Sequence, residues 1–331
     1  MGTRWSELDV IKQISKSAGR HYPGLVLGIG DDCAIIDTDP DKQLVVTTDM
    51  LVEDAHFSRI WHPPYELGRK SVAVNISDIA AMGGNPKYIF ISICLPESIE
   101  RGWLQEWLAG VESIVSEYEC CLAGGDTVRG KNITINVTVI GTIRRDQAIL
   151  RKSADIGQSI FVSGQLGSAA AGLLLFQQSN RIKLIEQPFT EPFKKRHLNP
   201  DPDIRCGALL SESGLVTSMQ DISDGIATDL SHICTASGIC AVIEESQLPF
   251  HPDLPRVADA LGCNLTDLLV SGGEDYHLVF TVSNDKDDEL YKLMKVHGID
   301  IYRIGKTVEG AGVFLRRGGE LEEITYGGFE H

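Results

Sequence analysis

Ile133-Thr-Ile-Asn-Val-Thr-Val-Ile-Gly-Thr-Ile143 decides the fold reading. Apolar and polar residues alternate along most of it and β-branched side chains dominate, the pattern of a half-buried strand. That strand ends the first of two domains, 1–148 and 149–331. Upstream, helices are expected over Ser6–Ala18, capped by Ser6, over Leu67–Met82, and over Glu100–Tyr118 with an apolar stripe at Leu104, Leu108, Val111 and Val115. Strands are expected at Leu44–Thr48 and Tyr88–Cys94. Downstream, the charged stretch Arg144–Lys152 leads to a strand at Ser159–Ser163 and a small-residue helix over Ser168–Gln178. Glu186–Pro202, polar and interrupted by proline, reads as a long loop. Helices near Asp203–Ser213, Asp224–Ser237 and Asp285–His297 then alternate with strands near Ala241–Ile243, His277–Val282 and Tyr302–Ile304. The class is mixed α/β (α+β) in two halves.

Length and charge narrow the function. A chain of 331 residues builds two ordinary domains without disulfide or metal staples. Its 30 Lys and Arg against 46 Asp and Glu leave a net charge of −16, which argues against nucleic acid as a partner. No apolar run reaches the roughly 18 residues of a membrane span. The opening residues lack a signal-peptide core, so the cytoplasm is the expected compartment. Met1-Gly2 with Ser6 matches a myristoylation pattern only formally, because no basic segment supplies a second anchor. The eight cysteines form no C-x-x-C pair and read as buried free thiols.

Familiar nucleotide motifs fail. Gly28-Ile-Gly30 starts a G-x-G-x-x-G, but Cys33 holds the third position, and Asp31 and Asp32 stand where a pyrophosphate needs bare backbone. Gly305-Lys-Thr307 resembles the end of a Walker loop without its first glycine, and neither a nucleophile elbow nor a zinc helix is present.

What remains is a set of aspartates where strands or turns meet helices: Asp31-Asp32, Asp49 after Thr47-Thr48, Asp78, Asp126 after two glycines, and Asp221 and Asp224 around Ser223. Any one alone reads as a cap or turn residue. As a set, flanked by glycine and poor in His and Cys, they are the hard oxygen donors that Mg²⁺ selects, and magnesium points to phosphate. His56 follows the Thr-Thr-Asp strand end closely enough to reach a ligand. His62, His197 and His277 read as structural. Arg151 follows the long alternating strand and carries a guanidinium suited to phosphate oxygens. Asn75-Ile-Ser-Asp78 is echoed by Asp221-Ile-Ser-Asp224, and Gly124-Gly-Asp126 by Gly272-Gly-Glu274, so each half brings an acidic helix start and a Gly-Gly-acid turn.

Six motifs in order carry a resemblance: Gly28-Ile-Gly-Asp-Asp-Cys-Ala34, Thr47-Thr-Asp49, Ala73-Val-Asn-Ile-Ser-Asp-Ile-Ala-Ala-Met-Gly83, Gly124-Gly-Asp-Thr127, Asp221-Ile-Ser-Asp-Gly225 and Ser271-Gly-Gly-Glu-Asp-Tyr276. Together they resemble the thiamine-monophosphate kinase family, within the aminoimidazole ribonucleotide synthetase superfamily. The resemblance implies a two-domain fold of that superfamily. In it, first-domain strands, Ile133–Ile143 among them, pair across a two-fold axis into a β-barrel at a homodimer interface, and the second domain completes the active-site cleft. It implies direct transfer of the γ-phosphoryl of ATP to thiamine monophosphate, with several Mg²⁺ ions. By matching position, Asp32, Thr47, Thr48, Asp49, Asp78, Asp126, Asp221 and Asp224 are magnesium ligands, with Asp49, Asp78 and Asp126 closest to the chemistry. Gly125, Asp126, Arg151 and Ser223 hold ATP. His56, Glu274 and Tyr326 contact thiamine monophosphate, with Phe329 the next candidate after Tyr326. Rival readings are another ATP-using member of the superfamily, either aminoimidazole ribonucleotide synthetase or a selenide, water dikinase-like enzyme, and a non-catalytic magnesium-nucleotide binding protein.

Overall fold

A computed structural model describes residues 23–27, 35–37, 39–178 and 186–324. The expected helix Ser6–Ala18, the Asp31-Asp32 pair, Tyr326 and Phe329 lie outside the described residues. The chain forms two compact units, one of residues up to 79 and 84–146, the other of residues 80–83 and from 147 on.

In the first unit, β1 (Leu25–Leu27) and β2 (Ile35–Ile36) form a short antiparallel pair. β3 (Lys42–Val52), β4 (Asn85–Leu95), β5 (Cys121–Arg129) and β6 (Thr134–Arg144) form a sheet in the order β3-β6-β4-β5. β6 is the alternating strand, and its burial alternates residue by residue from Ile135 to Ile143. Ile135, Val137, Val139 and Ile143 turn to the same face as Ile89, Ile91 and Ile93 of β4, and all are buried. Helix α1 (Pro64–Ala81) lies on that face, since a Cβ at Gly141 would approach Ile79 to 2.8 Å. Helix α2 (Arg101–Glu117) buries Leu104, Trp107, Leu108, Val111 and Ile114. It meets α1 where Gly68 faces the Trp107 carbonyl and Gly110 faces the Tyr65 carbonyl, a backbone approach that leaves no room for a Cβ.

The second unit is built on seven strands: β7 (Gln158–Val162), β8 (Val216–Asp221), β9 (Cys240–Glu244), β10 (Leu278–Ser283), β11 (Tyr302–Val308), β12 (Gly312–Arg317) and β13 (Glu320–Glu323). Their order is β13-β12-β9-β11-β7-β10-β8, antiparallel except for β12 beside β9. Every residue of β7 is buried because helices cover both faces. Ile160 and Val162 join a core with α3 (Ser168–Gln177), α4 (Glu191–Leu198), α6 (Ile226–Ser237), α7 (Leu254–Leu261) and α8 (Leu265–Ser271). Phe161 joins another with α5 (Ile204–Ser213) and α9 (Asp287–Val296).

Mixed α and β elements in two halves agree with the sequence reading. Glu186–Pro202 does not: it contains α4 instead of a continuous loop. Pro192 sits in the first turn of that helix, where a missing N–H costs nothing. The seven described cysteines are free thiols, buried or half-buried. Among the described residues no helix is long and apolar enough to cross a membrane.

Candidate functional site

In the first unit, Thr47 and Asp49 are two residues apart on β3 and point to the face that α1 covers. The Thr47 hydroxyl donates to Asp78 Oδ2 on α1. The backbone N–H of Asp49 donates to Asn75 Oδ1 at 2.9 Å, and Asn75 Nδ2 donates to the Ser71 carbonyl at 3.3 Å. Asn75 and Asp78, one turn apart, thus fasten α1 to the strand that carries Asp49. Partial loss of solvent where α1 packs beside the strand, then the nearby Asp78 carboxylate, push Asp49 up to about 6.

Thr48 and Asp126 are one residue out of phase with that cluster. Asp126 registers with Ser92 and Ser92 with Asn136, while Asp49 registers with Val137, so Asp126 stands on the opposite, open face of the sheet. Thr48 shares that face, donating to the Val137 carbonyl at 3.2 Å and accepting from Thr138 Oγ1 at 3.0 Å. Asp126 turns one carboxylate oxygen back to the Thr127 N–H at 2.8 Å. Gly125 lies against the Ile91 backbone, where a Cβ would overlap the Ile91 carbonyl oxygen. His56 Nδ1 accepts the Val52 N–H at 3.0 Å, which leaves the proton of the neutral ring on Nε2.

In the second unit, two of the motifs lie side by side beyond the paired ends of β8 and β10. Ile222 N–H donates to the His277 carbonyl at 2.7 Å, Tyr276 N–H to the Ile222 carbonyl at 2.8 Å, and Glu274 N–H to the Ser223 carbonyl at 2.8 Å. Gly273 permits this, since a Cβ there would come to 2.5 Å from the Ser223 oxygen. Asp221 is buried at the end of β8, and Asp224 leads into α6. Arg151 stands in a short 3₁₀ turn, close enough for its charge to act with burial in lowering His232 of α6.

Several functional candidates went unseen in the sequence. Asp229, fully buried in the first turn of α6, accepts the Asp224 N–H at 3.0 Å and Gln220 Nε2 at 2.8 Å. Burial, then the Asp221 and Asp224 charges, raise its carboxyl well above the usual range. His197, read from sequence as structural, is buried but pairs through Nδ1 with Glu274 Oε2 at 2.9 Å. His277, read the same way, has Nδ1 at 2.8 Å from Asp203 Oδ2 and Nε2 at 2.7 Å from Arg196 Nη2. A guanidinium only donates, so Nε2 accepts and the proton sits on Nδ1. Lone histidines give no such signal, and Asp229 reads as an ordinary helix residue.

The first unit matches the family model described as AIR synthase related protein, N-terminal domain, over residues 30–143, and the second matches the C-terminal domain model over residues 155–318. The thiamine-monophosphate kinase of Bacillus subtilis (strain 168) is 37% identical over 301 residues, covering 90% of each chain. The crystal structure of thiamine-monophosphate kinase from Stenotrophomonas maltophilia K279a aligns with TM-score 0.82 at 33% identity, covering 97% of this chain and 99% of that one. AaThiL complexed with AMPPCP and TMP aligns with TM-score 0.79 at 31% identity, covering 98% of this chain and 95% of that one. The chain therefore belongs to the AIR synthase-related proteins and, among them, to the thiamine-monophosphate kinase family.

Proposed function

We infer that this protein transfers the γ-phosphoryl group of ATP to thiamine monophosphate, giving thiamine diphosphate and ADP in the cytoplasm. The observation that carries this reading is the likeness, over nearly the whole chain, to a protein complexed with AMPPCP and TMP. The side chains fit the reaction class. Thr47, Asp49 and Asp78 offer only oxygen donors, as do Asp221 and Asp224, which suits Mg²⁺ over softer metals. The repulsion between Asp49 and Asp78 is what a divalent cation relieves. Among the described residues no three His, Cys, Asp or Glu side chains gather as a ready-made metal cage. Magnesium is ordinarily held by one or two carboxylates, with substrate phosphates completing its shell.

Thr47, Asp49 and Asp78 on one face of the first-unit sheet, Thr48 and Asp126 on its other face, and Asp221 and Asp224 in the second unit, with Asp32, are the proposed ligands of several separate magnesium ions. Magnesium held by these residues would supply charge neutralisation for the donor and acceptor phosphates and favour their in-line alignment. Arg151 offers its guanidinium to phosphate oxygens, while Gly125 and Ser223 bring backbone close to the nucleotide. His56 and Glu274, with Tyr326, hold thiamine monophosphate. An acceptor phosphate with a second pKa of about 6 is largely ionised at neutral pH, so no strong general base is required.

Two such chains form the homodimer through first-unit strands, the alternating Ile133–Ile143 strand and, beside it, the edge strand β3, where Leu44, Val46 and Met50 are exposed. Coupled ADP release tests the function. Release that requires both magnesium and thiamine monophosphate supports it; ATP binding without turnover makes the protein a nucleotide-binding module, and turnover only with another superfamily acceptor reassigns it.

A further inference from the structure

Glu274 sits on a backbone that needs holding. Glu274 and Tyr276 have φ of 65° and 51°, a left-handed conformation that non-glycine residues adopt only when their surroundings enforce it. The N–H groups of both residues are tied to the Ser223 and Ile222 carbonyls, and α4 adds a second hold on the segment. Arg196 Nη2 donates to the Asp275 carbonyl oxygen and to His277 Nε2, so one guanidinium spans the segment that follows Glu274. The Asp275 carboxylate, fully buried, accepts the N–H groups of Gly167 at 2.6 Å and Ala169 at 3.0 Å and so closes the start of α3. His277 is fixed in turn by Asp203, which also accepts the Ser163 hydroxyl.

His197, next to Arg196 on α4, reaches Glu274 itself. Its Nδ1 lies 2.9 Å from Glu274 Oε2. The imidazole is 1% exposed and has the Phe176 ring 6.0 Å away. α4 can approach α3 this closely because Gly172 has no side chain; a Cβ there would strike the Phe193 carbonyl and come to 2.9 Å from His197 Cβ. A carboxylate on a mobile side chain is thereby held in one orientation by a partner that cannot itself rotate, which reduces the rotamer freedom lost when substrate arrives.

We propose that His197 and Arg196 are positioning residues for thiamine monophosphate: Arg196 fixes the backbone around Glu274, and His197 aims the Glu274 carboxylate at the substrate. This rests on the reading that Glu274 contacts that substrate. The consequence is a defect confined to one of two substrates.

Steady-state kinetics of the full-length protein with magnesium, varying ATP and thiamine monophosphate separately, test it. In His197→Ala the KM for thiamine monophosphate should rise about tenfold, the effect of losing the 2.9 Å contact that orients the Glu274 carboxylate, with kcat and the KM for ATP within about twofold. His197→Asn, whose amide nitrogen replaces Nδ1, should recover most of the loss, and His197→Ala should add nothing in a Glu274→Gln background. A thiamine monophosphate KM that moves in Glu274→Gln but not in His197→Ala overturns the positioning role and leaves the substrate contact standing. A Glu274→Gln enzyme with unchanged KM overturns the contact, and the positioning role with it. Equal losses for both substrates without rescue by Asn assign His197 a structural role only.

Discussion

Asp229 Oδ2 accepts the Asp224 backbone N–H at 3.0 Å while its Oδ1 accepts Gln220 Nε2 at 2.8 Å, so one buried carboxylate braces the chain on both sides of the Asp221–Asp224 motif. Alanine at this position leaves the Asp224 N–H and the Gln220 amide buried without their acceptor, so Asp229→Ala should cost about 1–3 kcal/mol in urea unfolding. Turnover at subsaturating magnesium should fall roughly tenfold if the bracing sets the geometry of Asp224. Unchanged magnesium dependence would separate Asp229 from the candidate metal ligands.

Much of this arrangement was legible in the sequence, and what was not shares a physical cause. The alternation of Ile133–Ile143 is a local pattern, and β6 reproduces it. The strand Cys121–Arg129 is hidden because Gly124 and Gly125 have poor strand propensity; pairing with β4 overrides it. α4 buries only Phe193 and His197, one turn apart, too little apolar face to register as a helix period. His197, His277 and Asp229 acquire partners distant in sequence or across a turn, and single-residue chemistry cannot show that. The acidic motifs were visible in outline, yet the split of Asp49 and Asp126 onto two faces of one sheet follows only from register.

Asp49→Asn should abolish turnover, by at least about a hundredfold, while leaving the fold intact. The wild-type carboxyl is pushed up to about 6 by partial loss of solvent beside α1 and then by Asp78. Above that pH the metal-free protein carries a repelling pair, so Asp49→Asn should melt at the same temperature as wild type or higher without magnesium. Asp78→Asn should share the loss of turnover. Near-normal rates at saturating magnesium would remove both residues from the metal assignment.

Asp203 supplies a pH signature. Its burial works to raise the carboxyl, but the His277 ring, the Ser163 hydroxyl and the Arg196 charge outweigh it and hold the group below its ordinary value. A carboxylate depressed in the folded state stabilises fully above its unfolded pKa of about 3.9 and loses that contribution as pH falls through the folded value. In urea titrations, wild type should exceed Asp203→Asn in stability at pH 6, and the gap should narrow steadily below about pH 4. A gap independent of pH would mean that the carboxylate is not the stabilising partner of His277.

The open face of β3 makes the last prediction. Val46 is 62% exposed, and Leu44 and Met50 flank it on the same face, an apolar row on an edge strand that pairing with a second copy would cover. Thr48 lies between Val46 and Met50 with its hydroxyl bonded to Val137 and Thr138 of β6. Val46→Lys places a charge in the middle of it without touching the core behind. If a second copy covers this face, light scattering should give a dimer for wild type and a monomer for Val46→Lys, at matching thermal stability of the individual chain. A dimer that survives the lysine places the interface elsewhere on the molecule, and a monomeric wild type removes the homodimer from the proposed function.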